Sequence, residues 1–241
     1  SINRSLKIID NNLRNSKLAN KIFLDLFSNS REPETILRNM NDAGVLAKFL
    51  PDFARVEGMS LFNLYHNYTV DEHLLKTVGF MSKIINNTLS QPHPFTSNFN
   101  AKLDNKKVLL LSAFLHDIGK GRKQDHSILG SQITEKLCNR IGMKKNEVSQ
   151  TAWLVKNHLV MSDIAQKRDL YDPKTIVDFA SIVKNQKNLD YLLALTVADI
   201  MSVGPSIWNA WKSGLLRTLY SETSNYLSGD KNKSIENENN C

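Results

Sequence analysis

Cysteine is scarce in this sequence. Only two of the 241 residues are cysteines, Cys138 and Cys241, and neither belongs to a CxxC pair. A disulfide-stabilised scaffold and a thiolate zinc site both need several closely spaced cysteines, so this composition excludes both classes. The lack of a cysteine framework predicts a chain from a reducing compartment, the cytoplasm.

Long hydrophobic runs are also absent. The longest ones, such as Val108–Leu111 and Tyr191–Val197, fall far short of the roughly 20 apolar residues that a membrane span requires. The first residues, Ser1 to Arg4, include neither an initiator methionine nor the apolar core of a signal peptide. We therefore expect no membrane span, and we interpret the chain as an internal piece of a longer polypeptide.

Aromatic residues make up only 8% of the sequence, whereas 41% of the residues are hydrophobic and 23% are charged. This balance is typical of a globular domain and excludes a fibrous or wholly disordered chain. The net charge of +7 favours a partner that carries phosphate or carboxylate groups. The basic residues are scattered, however, without an arginine-rich or aromatic-interleaved tract, which argues against a nucleic-acid interface and leaves a solvated basic surface as the alternative.

Apolar residues recur at helical spacing along almost the whole chain, and alternating strand patterns are hard to find. The sequence therefore predicts an all-α fold. Thr69 and Glu72 have the spacing of a capping box, which would begin a helix that reaches Ile85. Prolines and asparagines between Ser90 and Asn105 predict a loop. Further helices are expected over residues 34–40, 44–50, 106–116, 127–141, 146–158, 173–184, 189–203 and 205–227, with short connections typical of helical bundles.

Four of the six histidines lie at or near the ends of predicted helices, namely His73, His116, His126 and His158. A single helical histidine is more often a core or surface residue than a ligand. Asp117 directly follows His116, however, and two adjacent side chains can meet one cation beyond a helix end if other helices supply further ligands. The pattern therefore predicts a metal site where several helix ends converge.

Asp199 lies inside an otherwise apolar run, and a buried carboxylate needs a metal ion or another partner, such as an arginine or a helix start. Imidazole and carboxylate ligands without thiolates favour a divalent ion with open water positions over a closed structural zinc site. Lys120 follows the His-Asp pair by three residues, at a glycine-flanked helix end. There it can neutralise a phosphate oxygen, with Arg122 or Lys123 assisting.

This arrangement resembles the HD superfamily of metal-dependent phosphohydrolases, which is all-α. Longer strings resemble the HD domain of the bifunctional uridylyltransferase and uridylyl-removing enzymes that act on the nitrogen-regulatory PII protein. These strings are Tyr68–His73, His116–Gly121, Asp125–Ser127, Trp153–His158, Leu195–Asp199 and Trp208–Tyr220. The resemblance covers roughly residues 34–227, whereas neither the paired-aspartate motif of a nucleotidyltransferase nor an ACT-type ligand-sensing segment is found in the sequence.

The resemblance also implies roles for individual residues. The implied primary metal site consists of His73, His116, Asp117 and Asp199, and the implied second site of His126 and His158. Magnesium or manganese would fill them, as one ion or two. Beside these implied ligands, residue type and spacing suggest three further roles: Asp117 can accept a proton from water, Lys120 and Arg122 can bind the phosphate, and His66, seven residues before His73, can face the substrate cleft.

The reaction implied by the resemblance is removal of UMP from a uridylylated tyrosine of PII. The implied organisation has a helical segment over residues 1–60 that links to a nucleotidyltransferase domain elsewhere in the parent chain, and an HD domain over residues 61–227. Residues 228–241 have too few apolar side chains to offset the entropy lost on ordering, and they are expected to form a linker or a disordered tail. ACT-type regulatory domains are expected in the rest of the parent chain. Two alternatives stay open: another HD phosphohydrolase acting on a free nucleotide, and a non-catalytic helical scaffold that binds PII.

Overall fold

The computed structural model describes residues 6–60, 68–90, 93–204 and 207–229. Every regular element in these residues is a helix, which confirms the predicted all-α fold. None of the helices in this part of the chain is both long and apolar enough to span a membrane.

Several short helices precede the main bundle and pack on one side of it. They are α1 (Asn11–Asn15), α2 (Lys17–Asn29), α3 (Pro33–Asp42) and α4 (Val45–Phe49), with 3-10 turns at Leu6–Ile8 and Phe53–Arg55. The side chains of Asp10 and Ser16 begin α1 and α2 by accepting hydrogen bonds from main-chain N–H groups of the first turn. Two phenylalanines of this segment reach the bundle, since the ring centroids of Phe27 and Phe53 lie 5.6 and 5.3 Å from that of Phe114.

The bundle itself is built from longer helices. They are α5 (Val70–Ile85), α6 (Lys106–Leu115), α7 (His126–Arg140), α8 (Lys145–Asn157), α9 (Val160–Lys167), α10 (Pro173–Val183), α11 (Gln186–Val203) and α12 (Ala210–Leu227). Helix α6 lies at the centre, because every residue from Val108 to Leu115 is buried and the helix packs against α2, α5, α8 and α11. Helix α11 is buried from Leu189 to Ala198. Their burial explains why both helices have nearly continuous apolar sequences.

Two polar clusters hold these elements together. Glu147, near the start of α8, accepts hydrogen bonds from Asn105 (3.0 Å), Lys107 (3.1 Å) and the main-chain N–H of Lys144 (3.2 Å). It thereby joins the start of α6 to the start of α8.

The second cluster lies at the start of α5. There Asp71 accepts hydrogen bonds from the main-chain N–H of Gly58 (3.1 Å) and from the side-chain amide of Asn41 (3.2 Å).

Some expectations about the helices are wrong in detail. Thr69 begins α5 as predicted, but its side chain makes no capping hydrogen bond, and Glu72 binds Arg38 of α3 at 2.5 Å. Helix α9 lies where the sequence predicted none. Helix α12 begins at Ala210 rather than at 205, because the side chain of Asn209 caps it. The described part of the loop over residues 90–105 contains a single 3-10 turn, and the predicted tail lies outside the described residues from residue 230 onward.

Candidate metal centre

Six histidine and aspartate side chains converge where several helix ends meet. They are His73 in the first turn of α5, His116 and Asp117 directly after α6, His126 at the first position of α7, His158 directly after α8, and Asp199 near the end of α11. Four of them are buried, while the side chains of the other two, His126 and Asp199, are 28% and 18% exposed. The structure thus brings together all six residues that the sequence singled out as metal ligands.

A first group of ligand atoms surrounds Oδ2 of Asp117. Nε2 of His73 lies 3.1 Å from Nε2 of His116, and these two nitrogens lie 3.6 and 3.4 Å from Asp117 Oδ2. Oδ1 of Asp199 joins the group at 3.1 Å from the His73 nitrogen and 3.5 Å from the His116 nitrogen. Two imidazoles and two carboxylates therefore point at one small volume.

A second group shares Asp117 through its other oxygen. Oδ1 of Asp117 lies 3.7 Å from Nε2 of His126 and 3.6 Å from Nε2 of His158. The ligand atoms of His73, His116 and Asp117 lie within 4.8 Å of one another, and so do those of Asp117, His126 and His158. Asp117 therefore stands between two potential cation positions, with one carboxylate oxygen directed at each.

Main-chain carbonyls fix the orientation of two of the imidazole rings. Nδ1 of His116 lies 2.9 Å from the carbonyl oxygen of Ala113, and Nδ1 of His158 lies 2.7 Å from that of Val155. A carbonyl oxygen only accepts, so each Nδ1 must carry a proton and donate it. In a neutral ring Nε2 then presents its lone pair to the cluster, which is the usual arrangement of a metal-binding histidine.

The charges in the cluster favour a cation. Burial opposes the ionisation of Asp117 and Asp199, but the charge of His116 outweighs this effect and holds the pKa of both carboxyls well below their usual range. Burial likewise lowers the pKa of His116, but the two carboxylates outweigh it and raise this pKa to about 10. The cluster therefore attracts positive charge, whether a proton or a metal ion.

Unpartnered atoms show that the residues fit a divalent metal. Within the described residues, three buried atoms of the cluster form no hydrogen bond: Asp117 Oδ1, His126 Nε2 and His158 Nε2. A buried polar atom without a partner costs about 1–3 kcal/mol, so three such atoms directed at one point indicate a ligand there. Mixed nitrogen and oxygen donors suit divalent cations, and HD domains bind divalent metals.

The predicted substrate residues have different surroundings. Nζ of Lys120 lies 2.5 Å from Asp117 Oδ2, so Lys120 directly contacts the cluster. Arg122 forms an ion pair with Asp52 of the N-terminal segment at 2.8 Å. His66 lies outside the described residues.

Gly119 allows the loop behind Asp117 to lie against the start of α7. A Cβ atom at this position would lie 2.2 Å from the carbonyl oxygen of His126 and 2.8 Å from the main-chain nitrogen of Gly130. Neither distance is compatible with a side chain, and neither atom belongs to a flexible group. Glycine at this position therefore permits Asp117 and His126 to approach each other.

Two residues next to the cluster were not predicted from the sequence. Oγ of Ser202 lies 3.0 Å from Nδ1 of His73, and Oγ1 of Thr77 lies 2.8 Å from the same hydroxyl. Helical spacing is the signal that could have identified them, because Thr77 follows His73 by four residues and Ser202 follows Asp199 by three.

Comparison with known families agrees with this geometry. A family model described as HD domain matches residues 70–202, which include all six residues of the cluster. A model described as Uridylyltransferase GlnD third domain matches residues 1–49, the segment that forms helices α1 to α4. The chain therefore belongs to the HD domain family of metal-dependent hydrolases and, within it, resembles the uridylyl-removing enzyme GlnD.

Proposed function

We propose that this chain is a cytoplasmic, metal-dependent phosphodiesterase that removes UMP from a uridylylated tyrosine of the nitrogen-regulatory PII protein. The observation that carries the substrate assignment is the GlnD-type segment over residues 1–49, present in the same chain as the HD cluster. Phe27 of this segment packs against Phe114, two residues before His116. The segment and the site therefore form one packed body, as expected if both serve the same reaction.

In the proposed reaction, a water oxygen bonds to the phosphorus of the phosphodiester, and the bond from phosphorus to the tyrosine oxygen breaks. The products are UMP, which keeps the hydroxyl of the water, and a tyrosine, which takes up the remaining proton. A tyrosine phenol has a pKa of about 10, so its anion leaves more readily than an alkoxide and needs little help from a general acid.

The proposed cations, magnesium or manganese as one ion or two, would be held by the two groups of ligand atoms. His73, His116, Asp117 and Asp199 would hold the first ion, and His126 and His158, with Asp117, the second. When bound, such an ion supplies Lewis-acid chemistry, because it lowers the pKa of water and neutralises charge on phosphoryl oxygens.

Asp117 and Lys120 would act directly on the reacting groups. The buried carboxylate of Asp117 directs one oxygen at each group of ligand atoms, and we assign it the acceptance of a proton from the attacking water. The ammonium of Lys120, whose side chain is 18% exposed, can turn from Asp117 to a phosphate oxygen. Arg122, anchored by Asp52, would assist from the same loop, and His66 would line the substrate cleft.

Domain organisation follows the same proposal. Residues 1–60 would link the HD domain, residues 61–227, to a nucleotidyltransferase domain elsewhere in a longer parent chain. ACT-type regulatory domains would belong to that parent chain as well, and residues 228–241 would lead onward as a linker. Uridylylated PII would be the partner of the site.

The test is release of UMP from uridylylated PII, followed by chromatography, with magnesium or manganese and with EDTA. We expect metal-dependent release by the wild-type protein and its loss in Asp117→Asn. Asp163→Asn is the matched control, because Asp163 is an exposed aspartate on α9 that pairs with Lys167. Thermal unfolding of both variants would verify that they are folded.

The other outcomes identify the alternatives. If the metal-loaded protein cleaves a free nucleotide or an aryl phosphodiester but releases no UMP from PII, the substrate assignment is wrong and the HD hydrolase assignment stands. If the metal-loaded protein cleaves none of these substrates but binds PII, it is a scaffold rather than an enzyme.

A further inference from the structure

Two buried hydroxyl groups connect His73 to Asp199 behind the metal cluster. Thr77 on α5 is 0% exposed and Ser202 on α11 is 1% exposed. Oγ of Ser202 lies 3.0 Å from Nδ1 of His73 and 2.8 Å from Oγ1 of Thr77. The two hydroxyls therefore join α5 to α11 next to the ligands that these helices carry.

The protons of both hydroxyls are committed to oxygen atoms. Ser202 donates to the carbonyl oxygen of Asp199 at 2.7 Å, and Thr77 donates to the carbonyl oxygen of His73 at 2.8 Å. Each hydroxyl has one proton, and a carbonyl oxygen only accepts. If one of these protons lies instead in the contact between the two hydroxyls, it is still held between two oxygen atoms and not donated to the imidazole. With its proton directed at an oxygen, Ser202 accepts a hydrogen bond from Nδ1 of His73, which assigns the ring proton to Nδ1.

We propose that Ser202 and Thr77 are positioning residues that hold His73 in the tautomer with the proton on Nδ1. In a neutral ring, Nε2 then keeps its lone pair and presents it to the metal position, 3.1 Å from both Asp199 Oδ1 and His116 Nε2. This inference rests on the metal site of the proposed function, and it is independent of the substrate.

Helix geometry explains why His73 needs hydroxyls from elsewhere in the molecule. The other two buried histidines directly follow the ends of α6 and α8, where the last carbonyl groups have no partner within the helix. These carbonyls, of Ala113 and Val155, accept the Nδ1 protons there. His73 instead lies in the first turn of α5, where the groups without a helical partner are N–H donors. A helix start offers no free carbonyl oxygen, so the hydroxyl of Ser202 on α11 accepts the hydrogen bond from Nδ1 instead.

The first experiment determines the tautomer of His73 by long-range proton–nitrogen NMR on nitrogen-15-labelled, metal-free protein at mildly alkaline pH. A His73→Asn variant identifies the His73 signals. We expect a protonated Nδ1 in the wild-type protein and loss of this preference in Ser202→Ala. An unprotonated Nδ1 in the wild-type protein would overturn the proposal.

The second experiment measures manganese affinity by calorimetry. We expect Ser202→Ala to weaken binding by about 10- to 100-fold, the usual effect of removing a group that orients a metal-binding histidine. Thr77→Val should also weaken binding, and Thr77→Ser should restore it. The controls are Ser112→Ala and Thr151→Val, which remove equally buried hydroxyls that bond a carbonyl of their own helix.

The controls separate positioning from stability. If Ser202→Ala and Thr77→Val lose no more manganese affinity than Ser112→Ala and Thr151→Val do, the positioning role is wrong. If the wild-type protein binds no manganese, the metal site of the proposed function fails and the NMR result alone decides the tautomer. Absence of UMP release affects neither measurement, so failure of the substrate assignment stays distinguishable.

Discussion

At the scale of single residues, Asp117 is the side chain on which the site depends. One of its oxygens lies within 3.6 Å of two imidazole nitrogens and 2.5 Å from Lys120 Nζ, and the other lies within 3.7 Å of two more imidazoles. Lys120 therefore competes with a metal ion for a carboxylate oxygen while being available to the substrate. Removal of the Lys120 ammonium should therefore lower catalysis without lowering metal affinity.

Lys120→Met tests this dual role. We expect kcat/KM for UMP release to fall by about 100-fold, because one charged donor to the phosphate is lost. Manganese affinity should stay equal or rise, since Asp117 loses a competing cation. Kinetics and calorimetry on the same preparation measure both quantities, with Lys174→Met, at an exposed position on α10, as control. A parallel loss of metal affinity would show instead that Lys120 supports the ligand geometry.

The residue scale also shows what the sequence could predict about the site. The order of histidines and aspartates, read with its family resemblance, identified the six residues that the structure brings together. The acceptors that orient His116 and His158 are main-chain carbonyls, which any residue could provide, so no residue type indicates them. The Thr77–Ser202 contact joins residues 125 positions apart, and its existence depends on how α5 packs against α11.

At the scale of helices, the site depends on how the starts of α6 and α8 are joined. Glu147 connects them, and each helix continues from there to a histidine of the cluster. Burial works to raise the pKa of Glu147, but hydrogen bonds from Asn105 and Lys107 outweigh it and hold this pKa below its ordinary value. The unfolded chain therefore binds a proton here more readily than the folded chain does.

Glu147→Gln should reveal this difference in its pH dependence. The stability that ionised Glu147 contributes is complete above the unfolded pKa of about 4.3 and is lost as the pH falls through the lower folded pKa. We expect the variant to be about 1–2 kcal/mol less stable at neutral pH, with a difference that shrinks in acid. Urea unfolding at several pH values measures it. Glu135→Gln, an equal charge change at an exposed position, should have little effect; a pH-independent difference would contradict the assignment.

Helix limits were predictable where local chemistry sets them and less so where tertiary contacts do. The apolar run from Val108 gave α6 nearly correct limits. Helix α9 was missed because Leu159, which precedes it, provides no capping side chain. The capping box at Thr69 was wrong because Glu72 has a stronger partner in Arg38, 34 residues earlier in the chain. No local sequence pattern indicates that Glu72 will bind Arg38 rather than the main chain at Thr69.

At the scale of the whole molecule, the N-terminal helices and the bundle form one packed unit. The ring of Phe53 stacks on that of Phe114 in α6, and Phe53 is fully buried. Asp71 in α5 accepts hydrogen bonds from Asn41 and the main-chain N–H of Gly58. Both contacts lie close to residues of the metal cluster, so loss of the N-terminal packing should lower the stability of the bundle.

Phe53→Ala tests whether the two parts unfold together. The three tryptophans, at positions 153, 208 and 211, all lie outside the N-terminal segment, so their fluorescence reports the bundle. We expect the variant to lower the unfolding free energy reported by this fluorescence by about 3–5 kcal/mol, the usual cost of removing a buried phenylalanine. Ile22→Ala on the exposed face of α2 should have little effect. An unchanged tryptophan transition in Phe53→Ala would show that the N-terminal helices unfold separately.

The close approach at Gly119 restricts which residues can occupy this position during evolution. Any side chain there would push the loop behind Asp117 away from α7. The atoms that it would meet belong to the main chain of α7, so no second substitution could relieve the clash. Gly214 on α12 is the contrast, since a Cβ there would meet open space and alanine would favour the helix. In a library of random substitutions selected for activity, position 119 should return glycine alone, while position 214 should accept most residues.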